Sequence, residues 1–381
     1  MPVPSLPVEL IGLILAQVDE KSLARCARVH PTWLSFCQQQ LYHSLTISRR
    51  RELDDQYGEP PLLATLQSCP ALAAHVRKLD FDGWYSVWNS YGDEEAFEES
   101  GESQDSEGLD DLYLAQLLKC CTGLRRLELS GAFLWIDDLI FTPRLVSLTF
   151  TDWARLRSRH KQPEMLALPP IQHLHTGIWR QPSHNRRIAG ISIDDLGPSS
   201  ISLFSSLTHL DANIINFRIP EELSNALQHI TPNLQSLSFR QHDVRRWEPL
   251  LPLCTSLKQL SWHSNPTALN DLFILRHLPP SLAFLHLAAT LHGRREEGKK
   301  LIAVVTSSVE GLEGLKSLQL DFNHPLAWES DLEILVQACK KKGVVLRAGR
   351  MGGLELGKQL VGPRLGTEEV RWTQIWSQVP L

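Results

Sequence analysis

Apolar residues in the first 47 positions recur at helical spacing and predict three short helices. The first apolar stripe consists of Leu10, Ile11, Ile14, Leu15 and Val18. Pro7 suits the first turn of that helix, where a missing N–H costs nothing. Asp19 is a suitable cap for a second helix, and Pro31 stands where the second ends and a third can begin. Three helices of about ten residues cannot bury all this apolar surface among themselves, so we expect part of it to contact a partner or the next domain.

The order of these residues resembles the F-box, a helical module that docks substrate receptors onto the Skp adaptor of cullin-RING ubiquitin ligases. The matching residues are Leu6-Pro7-x-Glu9-Leu10, Ile14-Leu15, Leu23, Val29-x-x-x-Trp33 and the closing Leu41-Tyr42-x-x-Leu45. The chain departs from the family at His30-Pro31, where Cys and a basic residue are common. The resemblance implies adaptor contacts by Leu6, Pro7, Glu9, Leu10, Ile14, Leu15, Leu23, Val29 and Trp33. The alternative is a generic three-helix cap on a repeat domain.

A second pattern, L-x-x-L-x-L, follows and occurs nine times. Its copies begin at Val76, Leu124, Leu145, Ile171, Leu207, Leu234, Leu257, Leu282 and Leu315. Recurrence near 25 residues with this signature resembles a leucine-rich repeat. Helical patterns at 112–121, 223–230 and 332–339 lie between copies, and a last strand is expected at 344–346. We therefore predict an N-terminal all-α F-box of three short helices, followed by an irregular α/β leucine-rich-repeat solenoid with a parallel concave sheet.

Side chains alternate along a strand, so the residues flanking each inward leucine share the opposite, concave face. Curved repeats tend to present their broad inner surface to partners, which makes this face the expected substrate site. The candidate substrate-binding residues are His173, His175, His209, Asp211, Asn213, Ser238, Arg240, Ser261, His263, Phe284 and His286.

These patterns divide the chain into an F-box (1–48), a hinge or cap (49–70), the solenoid (71–348) and a C-terminal cap or tail (349–381). Within the solenoid, residues 92–111 carry ten acidic side chains and no Lys or Arg. So polar a segment cannot bury enough surface to order itself, and we predict an acidic disordered insertion there. The last segment contains Trp372 and Trp376 and is expected to cover the end of the solenoid, with a docking tail as the alternative.

Composition narrows the class of protein further. A hydrophobic content of 43% and a charged content of 21% in 381 residues indicate a folded chain, and a net charge of −5 gives no sign of nucleic-acid binding. The seven cysteines are scattered and form no CxxC pair, which argues against a disulfide framework or a zinc module. No apolar run is long enough to span a membrane. We expect a cytoplasmic and/or nuclear protein.

Catalytic motifs are missing from the sequence. Gly298-Lys299-Lys300 lacks the glycine-rich loop that precedes a phosphate-binding lysine. Five histidines at outward strand positions (His173, His175, His209, His263 and His286) could bind a metal, but a polar, hydrogen-bonding face is the preferred interpretation. We therefore expect no metal, no cofactor and no catalytic site.

The resulting hypothesis is a substrate-recognition subunit of an SCF-type E3 ubiquitin ligase. Its F-box would dock a Skp-family adaptor and, through it, a cullin-RING ligase. Its solenoid would hold a protein substrate that the sequence does not name. The alternative is a non-ligase leucine-rich-repeat scaffold for protein interactions.

Overall fold

The computed structural model describes residues 7–48, 61–83, 104–151, 155–157, 168–176, 204–212, 227–240, 247, 249–264, 275–289, 295–322, 329–350 and 358–361. These residues form two compact units. Unit 1 contains the described residues up to Ile171, and unit 2 contains those from Gln172 onward. No helix in the described ranges is long and apolar enough to cross a membrane.

Unit 1 begins with three helices, as predicted: α1 (Val8–Leu15), α2 (Glu20–Cys26) and α3 (Pro31–His43). The Asp19 carboxylate caps α2 by accepting a hydrogen bond from the Ser22 N–H at 3.1 Å. The His30 Nδ1 caps α3 by accepting from the Thr32 N–H at 3.2 Å. Leu15, Leu23 and Cys37 form the core of the three helices. Each cap satisfies a backbone donor that a short helix would otherwise leave without a partner.

The last of these helices continues directly into the sheet of unit 1. Strand β1 (Ser44–Ser48) follows α3 without a loop and pairs in parallel with β2 (Lys78–Asp82). Two short helices, α4 (Pro61–Ser68) and α5 (Pro70–Ala73), lie between the two strands. The end of the predicted F-box is therefore also a repeat strand. The predicted hinge at 49–70 is helical from Pro61, and its residues 49–60 lie outside the described part of the chain.

The sheet of unit 1 continues through β3 (Arg126–Ser130) and β5 (Ser147–Thr151), both parallel to β2. Two three-residue strands, β4 (Phe133–Trp135) and β6 (Arg155–Arg157), form a separate parallel pair. Helix α6 (Gln104–Cys120) precedes β3. The prediction of disorder through residue 111 is wrong for 104–111, which are helical. Acidic residues are favourable in the first turns of a helix, and the apolar sequence that follows anchors the helix to the core. Residues 92–103 lie outside the described ranges.

Unit 2 is built from seven parallel strands and one antiparallel strand. The parallel strands, in spatial order, are β7 (His173–Thr176), β8 (His209–Ala212), β9 (Ser236–Arg240), β10 (Gln259–Ser264), β11 (Phe284–Ala289), β12 (Ser317–Phe322) and β13 (Val345–Arg350). Helices α7 (Arg295–Gly311) and α8 (Glu329–Lys342) precede β12 and β13. Strand β14 (Lys358–Val361) pairs antiparallel with β13, so part of the segment predicted as a cap covers the edge of this sheet. Trp372 and Trp376 lie outside the described residues.

One backbone contact repeats from strand to strand. In seven of the L-x-x-L-x-L copies, the carbonyl of the second residue accepts two N–H groups from the following copy. The Gln235 carbonyl, for example, accepts from Lys258 N–H at 2.8 Å and Gln259 N–H at 3.0 Å. Equivalent pairs of bonds involve the carbonyls of Arg77, Arg125, Gln172, Thr208, Lys258 and Ala283. This contact fixes the register between neighbouring strands before the regular ladder begins.

With the register fixed, the inward leucines align as a row. Leu237, Leu260 and Leu285 are direct register partners and at most 1% exposed. Leu79, Leu127 and Leu148 form the matching row in unit 1. Alternation then places the intervening residues on the opposite face of each sheet. The predicted fold class, an α-helical N-terminal module followed by parallel leucine-rich-repeat strands, is confirmed.

Gly83 provides a test of the tight packing after β2. Its N–H donates to the Ser130 carbonyl at 2.7 Å. A Cβ at this position would clash with the Gly131 carbonyl oxygen and lie 3.0 Å from Ala132 Cβ. We expect Gly83→Ala to lower the free energy of unfolding by roughly 1–3 kcal/mol, because backbone must shift to admit the methyl group.

The matched control is Gly311→Ala, where the added Cβ meets nothing within 4 Å. This variant should leave the melting temperature unchanged or raise it slightly, because alanine favours a helix. Thermal denaturation of both variants checks the prediction. Equal melting temperatures would contradict the packing described at Gly83.

Candidate functional site

Helix α1 exposes an apolar face that the rest of unit 1 does not cover. Leu10, Leu13 and Ile14 lie three and four residues apart, so they share one side of the helix, and they are 45%, 66% and 53% exposed. Val29 after α2 and Leu34 in α3 are also exposed. The opposite side of α1 contributes Leu15 to the helical core, and Gly12 lets the helix approach the Phe36 ring. Exposed aliphatic side chains of this size favour a protein contact.

The predicted adaptor-binding residues fall into two groups. Pro7, Glu9, Leu10, Ile14 and Val29 are exposed, as a docking surface requires. The assignment is corrected for Leu15 and Leu23, which are 3% and 5% exposed because they form the core with Cys37. Trp33 packs against the same core and is half-buried. Leu6 lies outside the described residues.

Leu13 and Leu34 were missed by the sequence reasoning. Leu13 stands off the main apolar stripe of α1, which is why the periodicity did not select it. Leu34 has the helical spacing of the third helix, together with Cys37 and Leu41, but was not assigned to the docking surface. The signal that could have found Leu13 is the composition of α1, VELIGLIL, in which every residue except Glu9 and Gly12 has a large apolar side chain. A helix of that kind needs a contact on both faces.

Unit 2 presents the second candidate surface, a polar face made by side chains that alternate with the inward leucines. Its central line of residues, which we call the middle row, is fixed by the strand register. The middle row consists of His175, Asp211, Ser238, Ser261, His286, Gln319 and Arg347. Row residues on neighbouring strands are about 5 Å apart, so their side chains can interact directly.

At the β7–β8 end of this face, one histidine contacts a buried carboxylate, and two further histidines lie against each other. The His175 Nδ1 lies 2.6 Å from the Asp211 Oδ2, and the Asp211 side chain is only 5% exposed. The rings of His173 and His209 stack with their centroids 4.2 Å apart. The Thr208 hydroxyl lies 2.8 Å from the His209 Nδ1. Burial lowers the pKa of His209, so this ring favours the neutral form.

A second network lies on β10, β11 and β12. The Asp321 Oδ2 is 2.8 Å from the His286 Nε2 and accepts a bond from the Gln319 Nε2 at 2.9 Å. The His286 Nδ1 is 2.9 Å from the Ser261 Oγ. A carboxylate only accepts, so His286 donates from Nε2, and the neutral ring then accepts the Ser261 proton at Nδ1. The network holds these side chains in fixed orientations.

Ser261, His286 and Asp321 form a Ser–His–Asp chain, which is also the arrangement that enzymes with a serine nucleophile use. Ser261 lies in β10, which is paired with strands on both sides. The backbone N–H groups around Ser261 are therefore engaged in the ladder rather than aimed at a developing oxyanion. The arrangement favours hydrogen-bonded recognition over acyl transfer.

Arg347 ends the middle row and was not among the predicted site residues. It follows Leu346 on β13, faces the same side as Gln319, and is 9% exposed. Burial lowers the pKa of its guanidinium from the ordinary value, although arginine remains charged in proteins. The pattern could have identified it, because the residue after an inward leucine points outward.

The remaining predicted substrate residues are only partly covered by the structure. Phe284 is a half-buried neighbour of Ser317 and Gln259 on the polar face. Arg240 and His263 are register partners in β9 and β10, but their side chains lie outside the described part. Asn213 lies outside the described residues altogether. Among the described residues, no group of three or more metal-ligating side chains is placed to hold a metal ion.

The lowered pKa of His209 predicts a loss of stability in acid. The folded-state pKa lies below the unfolded value of about 6.5, so the unfolded chain binds the proton first. Stability is therefore retained above about pH 6.5 and falls as the pH drops from there toward the folded-state pKa. Thermal unfolding at about pH 7.5 and about pH 5.5 should show a smaller acid-induced drop for His209→Asn than for the wild type.

His229→Asn serves as the control, because His229 is exposed. This variant should keep the wild-type difference between the two pH values. A His209→Asn drop as large as that of the wild type would contradict the assignment.

Comparison with known proteins agrees with this geometry at the N-terminus. An F-box-like family model matches residues 3–48. A search of curated proteins gives no match. Among solved structures, the chain resembles an internalin (inlF) from Listeria monocytogenes str. 4b F2365, with a TM-score of 0.33 and 12% identity over 90% of this chain and 89% of that one. The chain thus carries an F-box-like domain at residues 3–48, and this domain is followed by parallel strands that repeat the spacing of leucine-rich repeats.

Proposed function

We propose that this chain is the substrate-recognition subunit of an SCF-type ubiquitin ligase. Its helices α1–α3 would dock a Skp-family adaptor, and the polar face of unit 2 would hold a protein to be ubiquitinated. The ligase chemistry would belong to other subunits. F-box domains generally bind Skp-type adaptors, and leucine-rich repeats serve protein interaction.

The exposed apolar face of α1 is the observation that carries the adaptor half of this proposal. Leu10, Leu13 and Ile14 together present a hydrophobic side that the core of unit 1 leaves open. Burying such a side chain contributes about 1.5–3 kcal/mol, so a partner that covers three of them gains appreciable affinity. The direct passage from α3 into β1 also supports the proposal, because it ties these helices to the first repeat strand without a loop.

The substrate half rests on the polar face of unit 2. Its histidines, hydroxyls and carboxylates are held by mutual hydrogen bonds, so they are pre-organised for a partner. Phe284 adds an aromatic side chain, a type that is common among binding hot spots. A partner on this face would therefore be selected both by its fit against the aromatic ring and by its hydrogen-bonding groups.

Replacing Leu10 and Ile14 together by alanine tests the docking surface. We expect adaptor affinity to fall by roughly 100-fold, since each truncation at an interface centre costs about 1.4 kcal/mol or more. The melting temperature should change little, because both side chains are exposed. Binding of the purified full chain to a purified Skp-family adaptor, measured by calorimetry, gives the affinity.

Leu112→Ala combined with Ile334→Ala is the matched control. These aliphatic side chains are 56% and 62% exposed, and they belong to α6 and α8 rather than to the F-box-like helices. This variant should bind the adaptor as the wild type does. Undiminished adaptor binding by the Leu10 and Ile14 variant would show that docking uses another surface.

Phe284→Ala combined with His286→Ala tests the substrate face. Proximity labelling in cells treated with a proteasome inhibitor should lose most labelled proteins that the wild type enriches, while the adaptor stays bound. Leu253→Ala, an exposed residue outside the strands, should keep the wild-type set. If the set survives the double substitution but disappears on truncation after Arg350, the substrate site lies in the tail instead.

A further inference from the structure

Arg347 is a charged side chain that is largely removed from water, and no counter-ion for it lies among the described residues. Its residue is 9% exposed, yet no hydrogen bond or ion pair joins its guanidinium to any residue that the structure describes. A buried charge normally has a partner, because losing water costs several kcal/mol unless an ionic contact replaces it. Within the described part of the chain, this position therefore lacks the anion that a buried guanidinium needs.

The nearest carboxylate on the adjacent strand, that of Asp321, is committed elsewhere. Asp321 lies on β12, and its Oδ2 already receives bonds from His286 and Gln319. Gln319 is the register partner of Arg347, and its amide Nε2 donates to Asp321. An anion that binds at Arg347 would therefore be held by the guanidinium and not by this amide. The network thus engages the Asp321 Oδ2, and no ion pair joins a carboxylate to the Arg347 guanidinium among the described residues.

The surroundings of Arg347 indicate what else a ligand would meet. The row beside it contains Phe284, Ser317 and Val345 as consecutive register partners on β11, β12 and β13. Ser317 and Val345 are 8% and 9% exposed, so this stretch is well packed, with the half-buried Phe284 ring at its end. A group that pairs with Arg347 would therefore sit next to apolar surface, where charge-assisted hydrogen bonds gain strength from the low local dielectric constant.

We infer that Arg347 is the anchor of an anion-binding subsite on the polar face of unit 2, and that it selects peptide segments carrying an acidic group, a carboxylate or a phosphate. A guanidinium matches both groups with two parallel N–H···O bonds. An aliphatic or aromatic residue next to the acidic one would contact Phe284 and Val345. This inference deepens the proposed function, because it names the substrate class that the same face would take.

Peptide selection by the full chain tests the subsite without any ligase component. The probes are degenerate peptides of about eleven residues with one fixed central residue: glutamate, phosphoserine, serine or lysine. We expect the immobilised wild-type chain to retain the glutamate or phosphoserine pool about tenfold to a hundredfold better than the serine and lysine pools, the range typical of a charged hydrogen-bonded pair. The two anionic pools distinguish a carboxylate from a phosphate ligand.

Arg347→Gln should abolish that preference, and Arg144→Gln, which removes the same charge at an exposed position in unit 1, should keep it. If Arg347→Gln fails to fold, Arg347→Lys replaces it. Lysine keeps the charge but not the bidentate geometry, so the preference should be reduced but present.

Equal retention of all four pools by the wild type, or an anionic preference unchanged in the Arg347 variants, would overturn the subsite. Adaptor binding is measured separately. A wild-type chain that binds the adaptor but retains all four peptide pools equally would refute this inference and leave the proposed function standing.

Discussion

The described sheets depend on one recurring backbone contact. In seven of the nine copies, the carbonyl at the second position accepts two N–H groups from the following copy. A shift of one residue between strands would turn every leucine outward and every polar residue inward. Because the contact recurs from copy to copy, Leu237, Leu260 and Leu285 meet in one buried row. The same register brings Ser261 beside His286 and Gln319 beside Arg347. The hydrogen-bonded network and the position of Arg347 thus follow from how the strands are aligned.

The two candidate surfaces arise from different physical causes. The apolar face of α1 is exposed because the three helices are too short to cover both sides of a helix with so few polar residues. The polar face of unit 2 exists because side chains alternate along a strand: the leucines point to one side of the sheet and the residues between them to the other. The first surface suits a hydrophobic partner, and the second suits a partner that offers hydrogen bonds and charge. A receptor that joins an adaptor to a substrate needs two surfaces that differ in this way.

The sequence predicted the helices, the repeat strands and the outward residues well, because period and register are local properties. It missed β1, although Tyr42-x-x-Leu45-x-Ile47 has the repeat spacing, since those residues were assigned to the F-box alone. It also missed α7, whose buried Leu301, Ile302, Val305 and Val309 recur at helical spacing.

The hydrogen-bond partners of His286 could not be predicted from the sequence, and neither could the lack of a described ion pair at Arg347. Both depend on side-chain rotamers and on which of several acceptors each donor reaches. Leu15 and Leu23 were assigned to the docking surface because apolar periodicity does not separate a buried face from an exposed one.

Hydrogen–deuterium exchange on the full chain, with and without a purified Skp-family adaptor, tests the central claim most directly. If the helical module docks the adaptor, amide exchange should slow in residues 8–43 on addition of the adaptor, and exchange in the strands β9–β12 of unit 2 should stay as it was. The polar face would then remain available to a second protein while the adaptor is bound. Unchanged exchange in α1–α3, or protection that appears on β9–β12 instead, would contradict the account.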